Sequence, residues 1–146
     1  MRVGIHRGGR LARFAHVDAQ ASPTTMLLPS LVIQLTFSDQ LMTRVQLRGE
    51  LDALTAGQCG EFLLALLDEH PSTIVLDLSE LSFCDAGGLS VFVRLANRAD
   101  ALGGGVTLTG IGPLLARQLR ATGLDRRFPV PDPPNVRPMR RRPAPD

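Results

Sequence analysis

The chain has 146 residues, a formal net charge of +2 and 44% apolar residues, with six Phe and neither Trp nor Tyr. This length allows one domain with a full core and modest extensions, and no apolar run approaches the ~20 residues that span a bilayer, so no membrane insertion is expected. Residues 31–130 carry eight Arg against eleven Asp and Glu, whereas the flanks carry eight Arg against three acids; the central part lacks a basic stripe and stacking aromatics, and no nucleic-acid binding is expected of it.

Residues 1–29 show no sustained period and contain Gly8, Gly9, Pro23 and Pro29. They read as a disordered arm, and no continuous apolar stretch follows their arginines as a secretory signal would require. Val32 to Phe37 forms a first strand with Ile33, Leu35 and Phe37 on one face, and Ser38-Asp39-Gln40 turns the chain into a second strand, Thr43 to Arg48. Thr55 and Gln58 have the spacing of a capping box, opening a helix whose Cys59, Phe62, Leu63, Leu66 and Leu67 share a face. Ile74 to Leu78 is apolar almost throughout, as expected of a central strand covered on both faces.

The next helix runs from about Gly87 to Leu102 with Leu89, Phe92, Val93 and Ala96 inward, and Gly103-Gly104-Gly105 ends it. Val106 to Thr109 is a fourth strand. Pro113 suits a first helical turn, Leu115, Leu119 and Thr122 continue one face, and Gly123 fits a left-handed helix ending. Phe128-Pro129-Val130 adds a short edge strand. The order ββαβαβα(β) predicts an α/β sandwich with a mixed four- to five-stranded sheet over residues 30–130. Residues 131–146, with six Pro and Arg140-Arg141-Arg142, read as a disordered tail.

Few residues invite chemistry. Cys59 and Cys84 lack C-x-x-C spacing and a nearby His, so they read as buried thiols and not as a disulfide or metal site. His6, His16 and His70 form no Ser-His-Asp group. Gly110-Ile111-Gly112 follows a strand as a dinucleotide loop would, but Leu115 stands where the third Gly belongs, and without any Lys there is no P-loop. No enzyme activity, metal or cofactor is expected. Asp85 before a helix is a good N-cap, and Gly87 and Gly88 permit a tight turn with open amides.

The phrase Leu76-Asp77-Leu78-Ser79-Glu80-Leu81-Ser82-Phe83-Cys84-Asp85-Ala86-Gly87-Gly88-Leu89 closely resembles the signature of the STAS domain, found in anti-sigma factor antagonists and in the cytoplasmic parts of sulphate transporters. Gly49-Glu50-Leu51-Asp52 resembles a second element of that family, which neighbours the first and contributes to partner contact. The resemblance implies a STAS-type fold and a non-catalytic bacterial cytoplasmic protein that binds an anti-sigma factor with a histidine-kinase-like ATPase domain, releasing a sigma factor for transcription. It further implies partner contact through Asp85, Ala86, Gly87, Gly88, Leu89, Ser90 and Arg94, with Glu50 and Asp52 beside them. In the signalling members a partner kinase phosphorylates a Ser or Thr after that Asp; here the residue is Ala86, so phosphorylation at that position is not expected. Two other readings stay open: an accessory subunit of a membrane transporter such as a lipid-transport ATPase, and a nucleotide sensor.

Overall fold

The periodicity read from the sequence reappears as a sheet with one face under helices. The computed structural model describes residues 24–69 and 71–131. Strand β1 (Thr25–Leu27) lies at the edge, followed in space by β2 (Leu31–Ser38), β3 (Met42–Leu51), β4 (Thr73–Cys84) and β5 (Gly105–Thr109). β1–β2 and β2–β3 are antiparallel, β3–β4 and β4–β5 parallel. Helix α1 (Ala56–Glu69) connects β3 to β4, α2 (Ala86–Ala101) connects β4 to β5, and α3 (Pro113–Ala121) follows. The mixed five-stranded α/β sheet is the architecture expected of a STAS-type sandwich.

Alternation decides which side each strand shows the core. Leu31, Ile33 and Leu35 of β2, Val45 and Leu47 of β3 and Ile74, Leu76 and Leu78 of β4 join one buried cluster. They meet Phe62, Leu63, Leu66 and Leu67 of α1 and Leu89, Phe92, Leu95 and Ala99 of α2 in it. The opposite side of β4 carries Val75, half-buried Asp77 and exposed Ser79. The cover on both faces that its apolar run suggested thus extends on this side to buried Val75 and gives out by Ser79. The glycine run ends α2 as expected: Gly103 takes φ +79°, its amide reaches the Asp100 carbonyl at 3.1 Å, and Gly104 reaches Ala99 at 2.8 Å, a Schellman ending.

Four expectations are corrected. β1 lies inside the segment read as a disordered arm to residue 29; three residues are too few for a period to show, and the remainder of that arm, residues 1–23, lies outside the described residues. Phe37 is 45% exposed, because the β2–β3 register shifts between Leu35 and Phe37 and turns its ring off the core face. Thr122 is exposed, its hydroxyl donating back to the Gln118 carbonyl at 2.8 Å. Phe128 to Val130 form no strand: a 3-10 turn at Leu124–Arg126 leads Phe128 into the core, edge-on to Phe92 with ring centroids 6.4 Å apart. The fifth strand thus comes from the N-terminal end. The tail read over 131–146 lies, beyond Pro131, outside the described residues, as does His70.

Gly49 marks where β2, β3 and the chain before them converge. Its φ of +107° and a Cβ position colliding with the Ser30 carbonyl exclude any side chain. Gly49→Ala is expected to cost about 2–4 kcal/mol in urea unfolding. Gly57→Ala, at a helical position with open space around it, should be neutral or stabilising by up to ~1 kcal/mol.

Candidate partner-binding site

Parallel pairing brings the ends of β3 and β4 side by side, with Glu50 opposite Phe83 and Leu51 opposite Cys84. Both sequence motifs therefore finish at one edge of the sheet. Asp85 joins them. Its backbone amide donates to the Leu51 carbonyl at 3.2 Å, one carboxylate oxygen accepts the Gly88 amide at 3.0 Å, and the other accepts the Ala53 amide at 3.1 Å. One side chain thus caps α2 and holds the turn that leads into α1.

That turn is built by Asp52 and Thr55. Asp52 Oδ1 accepts the amides of Leu54 at 2.9 Å and Thr55 at 3.1 Å. The fully buried Thr55 hydroxyl accepts the Asp52 amide at 3.0 Å and donates to the Glu50 carbonyl at 3.1 Å. The capping box expected between Thr55 and Gln58 does not form, since the end of β3 engages that hydroxyl first.

Gly88 is buried, and a Cβ there would stand 2.6 Å from Cys84 Sγ and 2.8 Å from the Leu51 carbonyl oxygen. It admits α2 onto the β3–β4 ends, and Leu89 points into the core. Neither offers a side chain to the surface. Ala86, the first residue of α2, is exposed with its methyl free, as are Glu50, Ser90 and Arg94. Ser90 donates to the Gly87 carbonyl at 2.6 Å, and Ser82 donates to Gly49 at 3.0 Å. Three neighbours went unremarked in the sequence. Ala53 and the 85%-exposed Leu54 sit in the turn fastened to Asp85, and nothing in composition distinguishes such a leucine from a core one. Gly60 lies under Arg94; a glycine inside a helical pattern was the one available signal.

Burial pushes the Cys59 and Cys84 thiols up to about 12, so both remain protonated and unreactive at neutral pH. Both are free and buried. A pocket of about 180 Å³ opens between the end of β4 and the start of α3, lined by Leu81, Phe83, Leu114 and Gln118 among others; it lies below the ~300–1,000 Å³ usual for small-molecule sites. Among the described residues no group of His, Cys, Asp and Glu could hold a metal ion, and no helix is long and apolar enough to cross a membrane.

Strand order, strand direction and the capped start of α2 together define a domain of the STAS class. The chain belongs to that family: the family model described as "Mlab, STAS domain" matches residues 35–132. Among solved structures it is similar to the anti-sigma factor antagonist SpoIIAA in its unphosphorylated form, with 22% identity, a TM-score of 0.60, and coverage of 66% of this chain and 84% of that one. The Bacillus cell fate determinant SpoIIAA in its phosphorylated form gives 23% and 0.55, covering 66% and 87%. An anti-sigma factor antagonist from Mycobacterium paratuberculosis gives 28% and 0.54, covering 77% and 88%. The likeness to SpoIIAA is one of fold.

Replacing Asp85 by Ala removes the α2 cap and the bond to Ala53 together, with an expected loss of about 2 kcal/mol and faster hydrogen exchange at the Gly88 and Ala53 amides. Asp85→Asn keeps one acceptor oxygen and should fall between. Earlier on β4, the Ser79 hydroxyl and then its amide hold the Asp77 carboxyl below its ordinary 3.8. A depressed folded value stabilises the protein above the unfolded pKa, and that contribution is lost as pH falls through the folded one. Ser79→Ala should return Asp77 toward the ordinary value in an NMR titration and shift the acid loss of that contribution to higher pH.

Proposed function

We propose that this chain is a non-catalytic docking protein, an anti-sigma factor antagonist of a bacterial cytoplasm whose binding surface is the start of α2 with the adjoining Asp52–Thr55 turn. The observation that carries the reading is the fastening of both STAS motifs through Asp85, which presents Ala86 on a fixed, capped helix start. The similarity to the anti-sigma factor antagonist from Mycobacterium paratuberculosis supports the class of partner. The partner is an anti-sigma factor with a histidine-kinase-like ATPase domain, and its sequestration releases a sigma factor. Within the proposed surface, Ala86, Ser90, Arg94 and Glu50 face outward, while Asp85, Asp52, Gly87, Gly88 and Leu89 hold the geometry.

Phosphorylation on a loop hydroxyl adds about −1.5 to −2 charges at such a contact. Ala86 has no hydroxyl, so the complex is governed by abundance and competition. A second reading is favoured by the same residue: a STAS subunit of a membrane transporter needs no switch at this point.

Co-purification with each candidate separates the two. An anti-sigma ATPase retained by the protein supports the first reading, and a transporter ATPase supports the second; capture of neither rejects both. Ala86→Asp places charge at the contact and is expected to weaken binding at least about tenfold by calorimetry, with unfolding unchanged; unaltered affinity removes this surface as the contact. After incubation with the kinase and ATP the intact mass should stay constant. A phosphate appearing on Ser82 or Ser90 would show that a switch has moved and not vanished.

A further inference from the structure

Gly60 lies within α1, where glycine is among the poorest helix formers, and it is buried although it has no side chain. The cover is Arg94. A Cβ at Gly60 would stand 2.7 Å from Nη2 of Arg94, 3.4 Å from Cζ and 3.8 Å from Nη1, and those three atoms are its nearest neighbours. The guanidinium of this exposed α2 residue is therefore laid across the backbone of α1.

Arg98, one turn further along α2, also reaches α1 and meets the Asp68 carboxylate there at 2.8 Å. Arg94 meets a glycine, which offers room and no charge. Among the described residues it makes no hydrogen bond or ion pair. A guanidinium lying over bare backbone keeps its planar set of donors unfilled. Its place on the helix continues from Ala86 through Ser90.

We propose that Gly60 is a positioning residue, which seats the Arg94 guanidinium across α1 so that it receives a carboxylate of the docked protein. The inference rests on the docking surface described above and adds the chemistry of its partner: an acidic side chain facing Arg94, taken by paired hydrogen bonds. Gly60→Ala tests it without threatening the fold. The atoms that a methyl displaces are the far end of a flexible side chain, and Ala is the better helix former.

The full chain and its variants are titrated calorimetrically against the anti-sigma factor's ATPase domain or, should that not bind, the transporter ATPase. Arg94→Ala is expected to weaken binding at least about tenfold and to flatten its salt dependence. Gly60→Ala should weaken binding several-fold while its Tm is unchanged or higher, and should add nothing in an Arg94→Ala background. Full affinity in Gly60→Ala overturns the positioning role. An equal loss with and without Arg94 also overturns it, because Gly60 would then act by direct contact. If Arg94→Ala is silent while Ala86→Asp disrupts binding, this inference falls and the docking surface stands. If neither variant changes the affinity, or neither ATPase binds the parent protein, the surface falls and the inference with it.

Discussion

The parallel pairing of β3 with β4 is the constraint on which the arrangement depends. It runs from Met42 opposite Thr73 to Leu51 opposite Cys84, with two register shifts on the way. Parallel neighbours require a long crossover, and α1 is that crossover, laid over the face that Val45, Leu47, Ile74 and Leu76 make apolar. Because the two strands end together, the Asp85 amide finds the Leu51 carbonyl and its carboxylate finds the Ala53 amide. The start of α2 is thus a product of long-range register as well as of its own residues.

That origin explains how much could be read from the sequence. Cys59, Phe62, Leu63, Leu66 and Leu67 declare α1 by spacing alone, and Asp85 and the glycines after α2 declare the ends of their helix. The two STAS motifs were legible as phrases. Their fastening through Asp85 was not, because which amide faces which oxygen depends on strand register. Thr55 shows the same limit: the pattern to Gln58 suits a capping box, yet the folded chain offers its hydroxyl the Asp52 amide and the Glu50 carbonyl. Phe37 loses its place to a bulge that alternation cannot foresee. Phe128 reads as a strand residue by type, and its ring instead fills a space beside Phe92.

Charge contributes little to holding the domain together. The ion pairs Arg98–Asp68 and Arg127–Asp100 join half-exposed side chains, a class of contact worth ~0–1 kcal/mol. Cohesion comes from the apolar cluster shared by sheet and helices, with Phe62, Phe92 and Phe128 fully enclosed. The polar residues around the start of α2 are consequently available to arrange backbone geometry, as Asp52, Thr55 and Asp85 do.

The side chain at position 86 takes part in none of these bonds. Asp85 supplies the cap, backbone carbonyls and amides supply the remainder, and the Ala86 methyl stands in solvent. Natural selection can therefore act on that position almost independently of the fold. A hydroxyl could come or go there by a single codon change, with no intermediate that fails to fold. Asp85 and Gly88, by contrast, tie the two strand ends to the helix, so the fold itself constrains what can stand there.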